Sequence, residues 1–120
     1  GHAVVHMNVR PEMQNLRNMC QGGIVASLID VAMATAAAGG NYDTRLRPMA
    51  TLELKVNYLS GATGDRLEAV ADVLKLGSRT AVVRCDVRTD EGDICATGLG
   101  TFMTRRVHAT DPGGMTPPKG

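Results

Sequence analysis

Polar and apolar positions along this chain of 120 residues change their period between the first third and the rest. Val4, Val5, Met7 and Val9 gather in the stretch Ala3 to Val9 and predict a strand. Pro11 and Glu12 then open a short polar or helical turn that runs through Asn15 and Asn18. From about Gly23 to Ala38 the chain becomes almost wholly apolar, with Asp30 as its single charge and the pairs Gly22-Gly23 and Gly39-Gly40 at its ends. This pattern predicts a long helix, with the second glycine pair as its C-terminal stop. A loop with Asn41, Tyr42, Asp43 and Pro48 leads out of it.

Beyond the loop the period falls to two. Leu52, Leu54, Val56 and Tyr58 alternate with Glu53, Lys55 and Asn57, which predicts a half-buried strand over Thr51 to Leu59. Turn residues then divide the remainder: Gly61 to Asp65, Gly77-Ser78 and Asp90 to Asp93 bound strands at Leu67 to Leu76, Thr80 to Thr89 and Ile94 to Met103. Short turns between successive strands predict an antiparallel meander. A helix that is apolar nearly all round needs cover on most sides, and a curved sheet wrapped around it supplies that cover. The expected class is therefore α+β, a hotdog fold in which a curved antiparallel five-stranded sheet wraps a long central helix. A plain α+β sandwich shares the same string. One domain over residues 1–107 suits this length, and Pro112, Gly113, Gly114, Pro117 and Pro118 make residues 108–120 a flexible tail.

Composition narrows the functional classes. Net charge is +1, there is no Trp, and Phe102, Tyr42 and Tyr58 are the whole aromatic content, so base stacking and a basic nucleic-acid footprint are absent. The core must be built from Val, Leu, Ile, Met and Ala. The apolar helix is interrupted by Asp30 and rich in Ala, which makes it a poor membrane span. Cys20, Cys85 and Cys95 form no Cys-x-x-Cys pair and no zinc spacing with histidine, and read as reduced thiols of a cytoplasmic protein. No signal-peptide pattern is present, although the chain starts at Gly1 rather than Met, so targeting information can lie ahead of it.

Asp30 is the residue that calls for a function. A lone carboxylate in a helix surrounded by protein must find specific partners or give up its charge. A catalytic carboxylate and a structural one satisfied across a subunit interface both answer that requirement. The Gly22-Gly23 pair offers unpaired N–H groups at a helix start, where glycine also lets a carbonyl approach closely. Cys20 with His2 or His6 forms a weaker nucleophile pair. Met13, Met19, Met33, Met49 and Met103 suit core filling or the lining of an acyl pocket.

The run Asn15-Leu16-Arg17-Asn18-Met19-Cys20-Gln21-Gly22-Gly23, followed by Ser27-Leu28-Ile29-Asp30, resembles the Asn…His-Gly-Gly…Leu-x-Asp signature of the hotdog acyl-CoA thioesterases, and within them the subgroup named for phenylacetic acid degradation. Thr51 to Leu59 and Cys95 to Phe102 are similar to the strand after the helix and the last strand of that family. The resemblance spans Gly1 to Arg106. It implies hydrolysis of an acyl-CoA to a free acid and coenzyme A without metal or organic cofactor, in a homo-oligomer that is a dimer or a homotetramer. It further implies a site shared between subunits, with Asn15, Gln21 and Gly22 on one side and Asp30 and Thr51 on the other. Gly22 N–H would hold the oxyanion, Asp30 would act as base or nucleophile, and Asn15 and Thr51 would orient water or carboxylate. Lys75, Gly77, Ser78 and Arg79 fall at the turn where the family contacts the coenzyme A nucleotide, with Arg105 and Arg106 as further cations.

One position departs from the family. Gln21 stands where His is usual, and an amide donates a hydrogen bond but does not titrate. That substitution motivates a second reading, a hotdog protein that binds acyl-CoA without turning it over. A hydratase or dehydratase would need an acid/base pair near the helix, and no histidine lies between His6 and His108.

Overall fold

The computed structural model describes residues 1–38 and 46–106. Strand β1 (His2–Asn8) leads through a 3-10 turn at Pro11–Met13 to helix α1 (Gly22–Ala37), and then come β2 (Leu46–Tyr58), β3 (Arg66–Leu76), β4 (Thr80–Arg88) and β5 (Ile94–Arg106). The strands form one five-stranded antiparallel sheet in the order β1-β3-β4-β5-β2, with α1 packed against every one of them. The expected α+β hotdog architecture is present. The Gly39-Gly40 stop, the loop through Asp43 and the tail from His108 lie outside the described residues.

The path through the sheet differs from a simple meander. Only β3, β4 and β5 are joined in sequence by hairpins, whereas β2 pairs with β5 at one edge and β1 with β3 at the other. Residues 59–65 are therefore not a hairpin turn but a crossing from one edge of the sheet towards the other. Backbone bonds pin that crossing along its length: Leu59 N–H donates to the Cys95 carbonyl at 2.8 Å, the Ala62 carbonyl accepts from Cys20 N–H at 2.9 Å, and the Asp65 carbonyl accepts from Val9 N–H at 2.7 Å. Strand β2 also begins at Leu46, earlier than Thr51, and takes in Pro48. An edge strand tolerates proline because one side of its ladder is open.

Alternation predicts the inner face of β3 and β4 well. Leu67, Ala69 and Ala71, with Ala81, Val83, Cys85 and Val87, are buried and face the helix. Along β2 it predicts less, since Leu54 and Val56 pack on the core while Leu52 and Tyr58 stay more than half exposed. The helix buries one stripe, Val25, Leu28, Ile29, Ala32, Met33, Ala36 and Ala37, at the spacing of a single face. Its opposite side is open in the single chain: Gly23, Ser27, Val31 and Thr35 are exposed. Ser27 and Thr35 satisfy their hydroxyls within the helix, on the carbonyls of Gly23 and Val31.

Close contact between α1 and β5 depends on two glycines. A Cβ at Gly98 would lie 3.0 Å from Ile29 Cγ2 and 3.1 Å from the Lys55 carbonyl oxygen, and one at Gly100 would lie 2.8 Å from Met33 Sδ. Bare backbone at both positions lets Ile29 and Met33 seat directly on the sheet. This contact fixes how far α1 stands from β2, and so which strand residues the helix carboxylate reaches.

Candidate active site

Asp30 is half-buried at the margin of the helix's buried stripe, and its Oδ1 accepts a hydrogen bond from Thr51 Oγ1 at 2.8 Å. The lone helix charge thus finds its partner within its own chain. Thr51 lies opposite Phe102 of β5, and the register shifts on either side of it, between Pro48 and Ala50 and between Thr51 and Glu53. Such bulges re-aim side chains on the bulged strand.

The other half of the expected site surrounds the start of α1. Gln21 is the N-cap residue with extended backbone and no side-chain cap. Its carbonyl accepts from Ile24 N–H at 3.0 Å and Val25 N–H at 3.1 Å, so the N–H groups of Gly22 and Gly23 stand ahead of the helical ladder. The Gln21 amide reaches back to the Gln14 carbonyl at 3.5 Å. Asn15 shapes the preceding loop: its Oδ1 accepts from Arg17 N–H at 2.8 Å and Met19 N–H at 3.2 Å, and Asn18 sits in the left-handed region at φ 59. Its carbonyl oxygen is therefore engaged locally rather than with Asp30.

Asn15 and Gly22 line a small cavity of about 130 Å³ together with Met19, Cys20, Val25, Tyr58, Ala62 and Cys95. In the sequence Tyr58 is only the last member of an alternating strand face. Its hydroxyl donates to the Gly22 carbonyl at 2.6 Å. A polar-tipped residue ending an otherwise aliphatic face was the available signal.

Asn15, Gln21 and Gly22 are thus brought together, and so are Asp30 and Thr51, but the two groups remain apart. Gly22 and Asp30 are eight residues apart on one helix, which is about 12 Å along its axis. The turn with Gly77, Ser78 and Arg79 joins β3 to β4, with Gly77 N–H donating to the Thr80 carbonyl at 2.8 Å; Lys75 precedes it on β3. Register places this turn at the Thr51 end of the sheet, since Thr51 pairs with Phe102, Phe102 with Ala81 and Ala81 with Leu76. Ser78 and Arg79 are exposed there.

The cysteines do not form a thiolate centre. All three are buried, and burial pushes the thiols of Cys20 and Cys95 up from their ordinary value. The Cys85 thiol is pushed up to about 12, by burial first and then by the charges of Asp86 and Asp72. His2 and His6 on β1 are engaged by carboxylates of β3, Asp72 at 2.6 Å and Glu68 at 2.8 Å, rather than by Cys20.

One helix packed against a five-stranded antiparallel sheet is the hotdog architecture of thioesterases. Residues 18–96 match the model of the thioesterase superfamily, and the chain belongs to that family. It is 30% identical over 98 residues to the medium/long-chain acyl-CoA thioesterase YigI of Escherichia coli, an alignment covering 72% of this chain and 63% of that protein. The chain thus spans just under two thirds of that relative's length. The BH2602 protein of Bacillus halodurans, solved with CoA, superposes with a TM-score of 0.75 at 33% identity, over 82% of this chain and 68% of its own. A mutant of the phenylacetic acid degradation protein PaaI from Thermus thermophilus gives 0.73 at 29% identity, over 85% and 84%. Among the described residues no helix is long and apolar enough to cross a membrane.

Proposed function

We propose that this chain is an acyl-CoA thioesterase whose site is completed by a second copy of itself. The observation that carries the reading is the pairing of two features on one helix, the uncapped Gly22-Gly23 start and the Asp30 carboxylate held by Thr51. Hydrolysis needs N–H donors about 3 Å from the thioester oxygen and a base within reach of the same carbon. About 12 Å of helix between Gly22 and Asp30 is too far for one carbonyl. Two chains in opposed orientation supply both groups to one substrate. Strand β2 supports self-association, because it is a thirteen-residue sheet edge with Leu52 exposed on it.

In this reading water attacks the thioester carbonyl while Asp30 takes its proton. Gly22 N–H holds the oxyanion, which collapses to expel the coenzyme A thiolate, and the proton returns to sulfur. In the alternative route Asp30 attacks directly to give an anhydride that water then opens. Single turnover in ¹⁸O-water separates them, since only the anhydride route can leave label in the Asp30 side chain. Lys75, Gly77, Ser78 and Arg79 are the proposed contacts for the phosphates, through a hydroxyl and two cations on a turn that Gly77 closes with its own N–H on the Thr80 carbonyl.

Gln21 favours a second reading, an acyl-CoA-binding protein without turnover, because its amide is drawn to the Gln14 carbonyl. Thiol release from a panel of acyl-CoAs decides between them. Hydrolysis by the intact protein, lost in Asp30→Ala while the oligomer persists and reduced about tenfold in Thr51→Val, fits the loss of a base and of one orienting hydrogen bond. Measurable acyl-CoA binding with no thiol released from any substrate moves the binding reading to first place.

A further inference from the structure

We infer that Tyr58 is a positioning residue that locks the Gly22-Gly23 peptide plane, and through it the Gly23 N–H, which stands beside the Gly22 N–H proposed for the oxyanion. The inference rests on the thioesterase reading for its kinetic consequence, and on geometry alone for the lock itself.

Two adjacent glycines form the least constrained peptide that a helix start can have. Gln21 supplies no side-chain cap to hold it. A rotation of the plane between Gly22 and Gly23 would swing the Gly23 N–H, which belongs to that plane, away from the open helix start. The Tyr58 hydroxyl opposes that rotation by donating to the carbonyl of this same plane at 2.6 Å. Hydrogen bonding at the carbonyl end of a peptide also polarises its N–H, which strengthens the donor offered on the other side.

The post from which Tyr58 acts is rigid. Its backbone pairs with fully buried Ala96 on β5, and the next residues, Leu59 and Ser60, both donate to the Cys95 carbonyl, at 2.8 and 3.2 Å. The sheet thus holds one end of the contact and the helix start the other. The ring contributes as well as the hydroxyl. A Cβ at Gly22 would lie 3.3 Å from Tyr58 Cζ and 3.3 Å from its oxygen. The absence of a side chain at Gly22 is therefore explained inside the chain, by Tyr58. Gly23 differs, for a Cβ there would meet nothing within 4 Å among the described residues. The side-chain position of Gly23 is thus open space, and the peptide plane that carries its N–H is the one Tyr58 holds.

The test is Tyr58→Phe in the intact protein, which removes one oxygen and keeps the ring, with Tyr58→Leu as a second variant that removes both. Acyl-CoA hydrolysis is measured as kcat and KM separately, beside thermal melting and ¹⁵N relaxation of the Gly22 and Gly23 amides. The expected result for Tyr58→Phe is a fall in kcat of about tenfold, a fraction of what losing an oxyanion donor outright costs. KM stays within about twofold, since ground-state binding is not the interaction removed. Melting stays close to the parent, and the order parameters of Gly22 and Gly23 drop. An unchanged kcat with unchanged amide order overturns the inference, as does a kcat loss that only follows a loss of folded protein. If the parent protein hydrolyses no thioester, the proposed function fails by itself; lowered order at Gly22 and Gly23 in Tyr58→Phe then still supports the lock, and unaltered order overturns it.

Discussion

A residue's environment, rather than its type, decides what its polar group does in this protein. Asp30 and Cys85 make the contrast. Asp30 is half-buried and receives the Thr51 hydroxyl, so the helix charge has a partner. Cys85 is enclosed on the inner face of β4, and its thiol is pushed up to about 12 from an ordinary 9.0. In the unfolded chain this thiol ionises near its ordinary value, while in the folded chain it keeps its proton until about pH 12. Between those values the unfolded state binds fewer protons, so the stability that the protonated thiol contributes is complete below pH 9 and is lost as pH rises. Thermal melts of the parent and Cys85→Ala between about pH 8 and 12 are expected to show the variant less stable at the lower end, from its cavity, but with a shallower decline over about pH 9 to 12. An equal slope in both proteins would remove Cys85 as a contributor. Which residues these would be was half legible in the sequence: Asp30 stood out as the helix's single charge, but nothing in the spacing of Cys85 announced how deeply it is enclosed.

At the scale of elements, α1 is a helix whose start is left open. An N-cap of Ser, Thr, Asp or Asn would tie down one of the first N–H groups, and Gln21 does not. Gln21→Asp is therefore expected to raise stability by about 1 kcal/mol through capping and the helix dipole. The same change puts an anion beside the donors that the proposed oxyanion needs, so hydrolysis is expected to fall by about tenfold or more. Melting and kcat measured together check this, and a raised melting temperature with unchanged kcat would mean that these donors take no part in the reaction. The elements themselves were readable in outline, because period and turn residues marked one helix and five strands. Pairing was not. Strand β2 is joined to β3 along the chain yet hydrogen-bonds to β5, and local patterns carry no term for which edge a strand finds. The extra residues at the start of β2, from Leu46 to Ala50, were hidden for a related reason: Pro48 argues for a loop until the strand is known to be an edge.

At the scale of the whole molecule, the proposed site exceeds a single chain. Two inactive proteins, Asp30→Asn and Gly22→Val, are expected to regain hydrolysis when their subunits are mixed and allowed to exchange. Each mixed dimer then carries one site with both lesions and one with neither, so activity per mixed dimer approaches half that of the parent. Mixed oligomers that form, as shown by differently tagged subunits, yet stay inactive would show that each chain holds a whole site, contrary to the separation of Gly22 and Asp30 along α1.

The legible and the hidden parts divide along one physical line. Turn chemistry, hydrophobic period and the cost of a lone charge act through neighbours in the chain, and from these the helix, its open glycine start, the alternating strands and the need of Asp30 for a partner could be read. The Gly…Asp spacing even carried the distance between Gly22 and Asp30, since a helix converts residue count into length. Contacts across the fold have no such trace. Thr51 meeting Asp30, Tyr58 meeting Gly22, and Gly98 and Gly100 yielding to Ile29 and Met33 depend on how closely the helix lies on the sheet. That closeness is set by the packing of all five strands together, which no single segment contains.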